Sequence, residues 1–371
     1  MTTMGSAAEY GFWDYTAPGT GGMEHYERDD YLSLLDDMAT AGMNSLVMVI
    51  KWMTTGYTSR LPWLDQEPTN PAVASDNELI HFALSEAQKR GIKVWLGAVV
   101  TQFVTEQYGE SPLRHFEIYV DGRPRDAAIF DLDMPQVAER AVAIFEEIVE
   151  LFPQVDGLMV EVEGGDGFAP HRIEPYDTWA REQGKPASED GVCPQYFQYS
   201  AYRRVRVLRA VEKAVRAKNY QGDLSTICEV MNGEYRTGQV VDLAELGRGF
   251  PGIGVVTYSY SRWLRRLSVA DYCFVQPREY GFPTYYLGRG VMTWNKHWRS
   301  PQRPLPMSLH DQWAIDVEDV ARHEPDGFWW FGSGAVREGS HVDLGEVQKL
   351  GFKDGRDARL QLIGCGERLT R

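Results

Sequence analysis

The chain has 371 residues, with 38 Lys and Arg against 53 Asp and Glu, for a formal net charge of −15. Charged residues make up 25% and apolar ones 43%, a globular composition that excludes wholesale disorder. The acidity argues against a general phosphate-backbone binder, which needs a basic face, and leaves room for a local basic patch. One component is in excess: 11 Trp, 19 Tyr and 15 Phe bring the aromatic share to 12%.

The N-terminal run MTTMGSAAEYGFWDY carries neither a basic n-region nor an apolar stretch of signal-peptide length. No run of about 18 consecutive apolar residues follows, so no membrane span is expected. The four cysteines, Cys193, Cys228, Cys273 and Cys365, are far apart and form no CxxC pair, which argues against zinc-ribbon and thioredoxin motifs. A reduced, cytoplasmic protein is expected. Cys228 and Cys273 fall in apparent strands, where a buried thiol behaves as a small hydrophobe.

Along the chain, apolar strands alternate with amphipathic helices. YGFWDY (10–15) reads as a first strand, and 28–42 as a helix closed by Gly42. NSLVMVIKW (44–52) has no polar face until its end, the pattern of a strand buried on both sides. After a long polar loop, a helix is expected at 76–90 with Asp76 as its cap, then a third strand at 92–100. The next loop holds RHFEIYVDGRPRD, which predicts a small hairpin turning at Asp121-Gly122. Val137, Ala141, Ile144, Ile148 and Leu151 have helical spacing over 134–152. VDGLMVEVEGG (155–165) is the fourth strand, followed by a polar insertion and a helix at 195–217. LSTICEVMN (224–232) and GIGVVTYSY (252–260) are the fifth and sixth strands. For the seventh, DYCFVQ (271–276) and GRGVMTW (288–294) compete. A helix at 308–322, an eighth strand at 326–334 and a last helix near KDGRDARLQLIG complete the series.

Eight alternations with short αβ and long βα connections predict one (β/α)8 barrel over 1–371, with extended βα loops. The doubly wound alternative needs a glycine-rich phosphate turn after the first strand. TAPGTGGME lacks G-x-G-x-x-G spacing, so no dinucleotide cofactor is expected.

The strongest chemical signal is the fourth strand. Residues two apart share a strand face, so Met159, Glu161 and Glu163 lie together, opposite Leu158, Val160 and Val162. The apolar face must meet the helices, which directs both carboxylates into the barrel mouth. Two like charges held together raise one pKa and supply a general acid. Glu161, one layer deeper, is also placed to be held by a neighbouring cation such as Lys51. On the fifth strand the same alternation puts Glu229 inward, beside this pair; Glu234 lies further out in the loop. Carboxylates on adjacent strands are the requirement of glycoside hydrolysis.

Aromatic residues also cluster at strand ends: Trp13, Trp52, Tyr258, Tyr260, Trp294, Trp298, Trp329 and Trp330. Flat rings there suit the apolar C–H faces of sugars, although barrel interiors bury aromatics too. Asp14 and Lys51 end strands one and two, as sugar hydroxyl partners or as an interior ion pair. A metal set from Glu163, Asp166 and His171 lacks tight ligand spacing, and no metal is expected. No G-x-S-x-G elbow supports a serine triad.

These features resemble the (β/α)8 glycoside hydrolases as a superfamily, on the run from Pro135 to Glu163 in which a helix, VDG and a carboxylate-ended strand follow one another. A local likeness is to the chitinase-type family 18 enzymes, whose fourth strand reads D-G-x-D-x-D-x-E. Asp156, Gly157 and Glu163 match, Glu161 replaces an Asp and Met159 departs. Val256-Thr257-Tyr258 is similar to that family's M-T-Y strand, with Ser259 where Asp is usual. The resemblance implies that Glu163 is the proton donor.

The expectation is therefore a glycoside hydrolase with Glu163 as acid/base, Glu229 or Glu161 as nucleophile or second base, and a site lined by Asp14, Lys51, Trp52, Tyr258, Trp294 and Trp330. The partner is a carbohydrate substrate, with neither nucleic acid nor membrane, and homo-oligomerisation is left open. Two other classes use the same residues: a metal-dependent sugar isomerase, epimerase or lyase with Glu161, Glu163 and Glu229 as ligands, and a silent carbohydrate-binding barrel.

Overall fold

The computed structural model describes residues 9–15, 26–52, 55–64, 77–100, 117–120, 123–126, 130, 132–162, 173–190, 193–229, 254–258, 274–291, 308–334, 348 and 351–370. Eight strands form a closed parallel barrel: β1 (Glu9–Tyr15), β2 (Ser45–Lys51), β3 (Lys93–Val99), β4 (Gly157–Glu161), β5 (Asp223–Glu229), β6 (Gly254–Tyr258), β7 (Thr284–Val291) and β8 (Gly327–Ser333). Each pairs with its neighbours in the chain, and β8 returns to β1 through Glu9↔Gly327 to Trp13↔Phe331. This is the architecture the alternation predicts.

Around it lie α1 (Arg28–Thr40), α2 (Asn77–Lys89), α3 (Pro135–Leu151), α4 (Ile173–Glu182), α5 (Tyr196–Ala217), α6 (Leu309–His323) and α7 (Gly355–Thr370). The helices begin and end where local chemistry dictates. Ser308 caps α6 by accepting from the Asp311 N–H at 3.1 Å. Gly42, at φ 71°, takes the left-handed conformation just past α1 that closes a helix at little cost. All five apolar positions that define the α3 period are buried. None of the described helices is long and apolar enough to cross a membrane.

The two strands of the predicted hairpin are present as Glu117–Val120 paired antiparallel with Arg123–Asp126, and the expected turn residues Asp121 and Gly122 lie outside the described residues. The structure decides one open choice and adds one element. The seventh strand is Thr284–Val291, overlapping the second candidate, whereas the first runs into a one-turn helix, Gln276–Glu279, whose Pro277 suits a helix start. The polar insertion after β4 contains α4, because Tyr176, Trp179 and Ala180 repeat at three- and four-residue steps and bury one face. That face packs with Cys193 and Tyr199 in a small apolar cluster separate from the main core. Of the cysteines assigned to strands, Cys228 lies in β5, while Cys273 falls outside the described residues.

Candidate functional site

Strand alternation divides the core in two. Tyr10 and Phe12 of β1 pack outward with Leu34, Leu35 and Met38 of α1. Trp13 and Tyr15 belong to a second cluster built from the strands, with Val47, Val49, Trp95, Val99, Met159, Val256, Tyr285, Leu287, Trp329 and Phe331. That second cluster fills the barrel.

The ladder registers stack these inward positions in tiers of four drawn from alternate strands. At the base, Glu9 is buried and its carboxylate accepts from Ser45 Oγ at 2.8 Å and Trp95 Nε1 at 2.6 Å. Trp329 Nε1 donates in turn to Ser45 Oγ at 3.0 Å. The rings of Trp95, Tyr285 and Trp329 fill the space beside one tier because three of its members lack side chains. A Cβ on Gly157 would stand 2.3 Å from the Trp95 ring, and one on Gly254 or Gly327 would meet Tyr285 at 2.2 or 2.5 Å. Above come Val47, Met159, Val256 and Trp329, then Trp13, Gly97, Ile227 and Leu287. The next tier has the positions of Val49, Glu161, Tyr258 and Phe331. Tyr15, Val99 and Glu229 stand at the level above it.

The carboxylate at the C-terminal end of β4 is therefore an interior one. Glu161 is 2% exposed, pairs with Val99 of β3, and shares the inward face of Gly157 and Met159 as the alternation requires. Glu229 closes β5 opposite Tyr258, with Ser225 and Ile227 at the preceding positions of its face. Lys51 ends β2, where the ladder slips by one residue so that it pairs with Ala98; it is buried and donates from Nζ to the Trp52 carbonyl. Trp52 is partly buried at the mouth, with its ring 6.1 Å from Tyr15, which is 5.6 Å from Phe331.

Several expected contacts lie elsewhere. Asp14 falls on the helix-facing side of β1, with Tyr10 and Phe12, where it accepts from Ser333 N at 2.8 Å and Ser333 Oγ at 2.6 Å. It fastens β1 to the end of β8. Trp330 is also on the outer face, fully buried, with Nε1 donating to Tyr10 Oη at 3.2 Å. Trp13 and Trp329 face inward but are fully buried below the mouth. Glu163, Glu234, Tyr260, Trp294, Trp298, Asp166 and His171 lie outside the described residues. Among the described residues no three His, Cys, Asp or Glu side chains converge to hold a metal ion.

Two mouth residues were missed by the sequence reading, Tyr15 and Phe331. The signal was there: each stands two positions after an inward tryptophan, Trp13 and Trp329. Arg289, at the end of β7, is buried and reaches Gln312 of α6 at 2.5 Å.

No protein-family model matches the sequence, and no curated protein matches it. Solved structures share the fold. A cold-adapted β-galactosidase from Rahnella sp. R3 superposes with a TM-score of 0.67 at 14% identity, over 98% of this chain and 56% of that one. A β-galactosidase from the haloarchaeon Halorubrum lacusprofundi gives 0.65 at 15% identity, over 97% and 58%. An inactive variant of a family 20 exo-β-N-acetylglucosaminidase from Vibrio harveyi gives 0.55 at 14% identity, over 97% and 54%. The chain thus spans little more than half the length of these proteins. At such identities the likeness is one of barrel architecture. All three neighbours are glycosidases by title.

Proposed function

We propose that this chain is a glycoside hydrolase in which carboxylates at the C-terminal ends of β4 and β5 perform acid/base catalysis. The observation carrying this reading is the placement of Glu161, a buried carboxylate on the inward face of β4, beside a strand that ends in Glu229. Active sites of this architecture form at that end of the barrel. The glycosidase titles of the fold neighbours point the same way. Glu163, two residues beyond Glu161, is the proposed proton donor to the leaving oxygen. Glu229 or Glu161 then acts as nucleophile or as base toward water, and Lys51, Trp52, Tyr258 and Trp294 surround the sugar.

The test is hydrolysis of a panel of nitrophenyl glycosides, starting with the β-galactoside and the N-acetyl-β-glucosaminide. Glu163→Gln is expected to lower kcat/KM on any responsive substrate by a factor of about 10² to 10⁴, the usual contribution of a positioned acid. Full activity of that variant on every responsive substrate would overturn the assignment. The anomer released, read by NMR, separates retention from inversion and so reports whether the carboxyls stand about 5–5.5 Å or roughly 6.5–9.5 Å apart.

A further inference from the structure

Resting on the glycosidase reading, we infer that the outward face of α5 is a docking surface for a linear acidic polysaccharide, so that the polymer brought to the barrel is one whose sugars carry carboxylates. The sequence concentrates positive charge on this helix. Residues 196–218 hold seven Lys and Arg against one acid, Glu212, a local +6 in a chain of −15. Part of that charge is already engaged. Arg203 and Arg204 turn inward, at 3% and 8% exposure, and Arg203 meets Asp133 at 3.4 Å. Lys218 pairs with Glu150 of α3 at 2.6 Å. The other four share the outer side of the helix, where Arg206, Arg209 and Lys213 are exposed and Arg216 is half-buried.

Their spacing makes a line. From the half-buried Tyr202 through Arg206, Arg209, Lys213 and Arg216 the steps are four, three, four and three residues, which keeps all five on one face over about 21 Å. Among the described residues neither Arg206 nor Lys213 has a carboxylate partner, and the Arg206 guanidinium lies 5.8 Å from the Tyr202 ring. Arg216 Nη1 donates to the carbonyls of Tyr220 and Gly222 at 2.9 and 2.8 Å, which leaves its charge in place. The helix ends at Ala217 and β5 begins at Asp223, so the Tyr202 end of the line is the one toward the C-terminal ends of the strands. A polymer leaving the mouth beside β4 and β5 therefore meets the line lengthwise.

The geometry selects among polyanions. A polyuronate offers a carboxylate on each ring for such a row of cations and an apolar C–H face for Tyr202. A nucleic acid duplex needs a broad basic face, whereas the rest of this chain carries −21. Salt screens that repulsion beyond about 8 Å, so the nearest charges decide for a single chain laid along one helix.

The experiment measures binding of the full chain to polygalacturonate, neutral galactan and oligothymidylate by calorimetry and affinity electrophoresis. One variant is the triple Arg206→Gln, Arg209→Gln, Lys213→Gln. A second, Lys89→Gln, Lys185→Gln, Arg322→Gln, removes the same charge from exposed positions elsewhere. Circular dichroism checks that both fold. The wild type is expected to bind polygalacturonate and not galactan, and to weaken as salt rises from about 50 to 200 mM. The α5 triple is expected to weaken that Kd by about tenfold or more, and the second variant to leave it near wild type. On a hydrolysed polymer the α5 triple raises KM while its kcat on a small nitrophenyl glycoside is unchanged.

A wild type that hydrolyses a glycoside but ignores polygalacturonate overturns the surface while the glycosidase reading stands. So does a folded α5 triple that binds as tightly as wild type, or an equal loss in both variants, which reduces the effect to net charge. Tighter binding of oligothymidylate than of polygalacturonate overturns the polysaccharide assignment. Binding of polygalacturonate that the α5 triple abolishes, in a protein that hydrolyses no glycoside, supports the surface and overturns the glycosidase reading.

Discussion

The Asp14 carboxylate accepts both the backbone N–H and the hydroxyl of Ser333, at 2.8 and 2.6 Å, and so locks the last barrel strand to the first. Its other oxygen accepts from the Tyr15 N–H at 3.0 Å. Ser333 Oγ also meets Tyr26 Oη at 3.2 Å, and Tyr26 donates to the Gly334 carbonyl at 3.1 Å. Burial pushes the Tyr26 hydroxyl above its ordinary pKa, which keeps it a neutral donor. Asp14→Ala strands these buried donors and is expected to lower unfolding stability by about 2–4 kcal/mol in urea titrations. An unchanged urea midpoint combined with lost sugar binding would instead place Asp14 in the ligand site.

Further along the same seam, Arg359 of α7 is fully buried and donates from Nη2 and Nε to Asp37 of α1 at 2.7 and 3.1 Å. Arg356 adds a contact to the same carboxylate at 3.0 Å. Burial works to raise the Asp37 pKa, but the hydrogen bonds from Arg356 and Arg359 outweigh it and hold it below the ordinary 3.8. A depressed carboxylate pKa stabilises the fold above its unfolded value, and that contribution fades as pH falls through the folded one. Asp37→Asn is therefore expected to destabilise at pH 7, with the gap to wild type closing below about pH 4. Thermal melts of both proteins from pH 3 to 7 check this, and a gap that stays constant with pH refutes it.

Two glycines should respond to alanine in opposite directions. A Cβ on Gly157 would overlap the Trp95 ring at 2.3 Å, inside a packed tier with no room to yield. Gly157→Ala is expected to cost about 3 kcal/mol or to prevent folding. Gly364 lies on the exposed side of α7 with nothing within 4 Å of a built Cβ. Gly364→Ala is expected to raise stability by about 0.5–1 kcal/mol through the lower entropy of the unfolded chain. Denaturant midpoints of the two variants decide both.

The barrel was legible because its strands are buried on both faces and its helices keep a clean apolar period. NSLVMVIKW reads as such a strand, and α3 buries every position its spacing marked. Alternation also predicted correctly that Glu161 faces inward. Strand-end position alone does not give the face. Trp13, Trp329 and Trp330 were grouped as rim aromatics, yet two fill the barrel below the mouth and the third packs outward on Tyr10. Position along a strand gives height, and only parity gives the face. Applied to β1, parity puts Asp14 toward the helices and Tyr15 toward the barrel interior. The seam built by Ser333, Tyr26 and Arg359 was not legible, because it joins residues more than 300 positions apart.

Cys193 offers a test of the small aromatic cluster under α4 and α5. The thiol is buried beside Tyr176, Trp179 and Tyr199, and burial pushes its pKa up to about 11, with the Asp177 carboxylate adding to the rise. Alkylation needs the thiolate, so Cys193 is expected to resist iodoacetamide at pH 8 in the native protein and to label rapidly in denaturant. Peptide mass spectrometry reads this directly. Rapid native labelling would mean that the cluster opens.

Glu161 separates a catalytic carboxylate from a structural one. It is 2% exposed, in a tier with Val49, Phe331 and the position of Tyr258, where burying a carboxylate costs desolvation energy that its partners must offset. Residues kept for function in such places commonly reduce stability, and their neutral replacements restore it. Glu161→Gln preserves shape while removing the charge. In the proposed role it lowers kcat by a factor of about 10² or more and leaves the protein more stable by about 1 kcal/mol. The opposite pair of results, a lower melting temperature with kcat intact, would mark Glu161 as half of a buried ion pair that the fold needs. Melting curves and steady-state kinetics on one preparation therefore assign the residue.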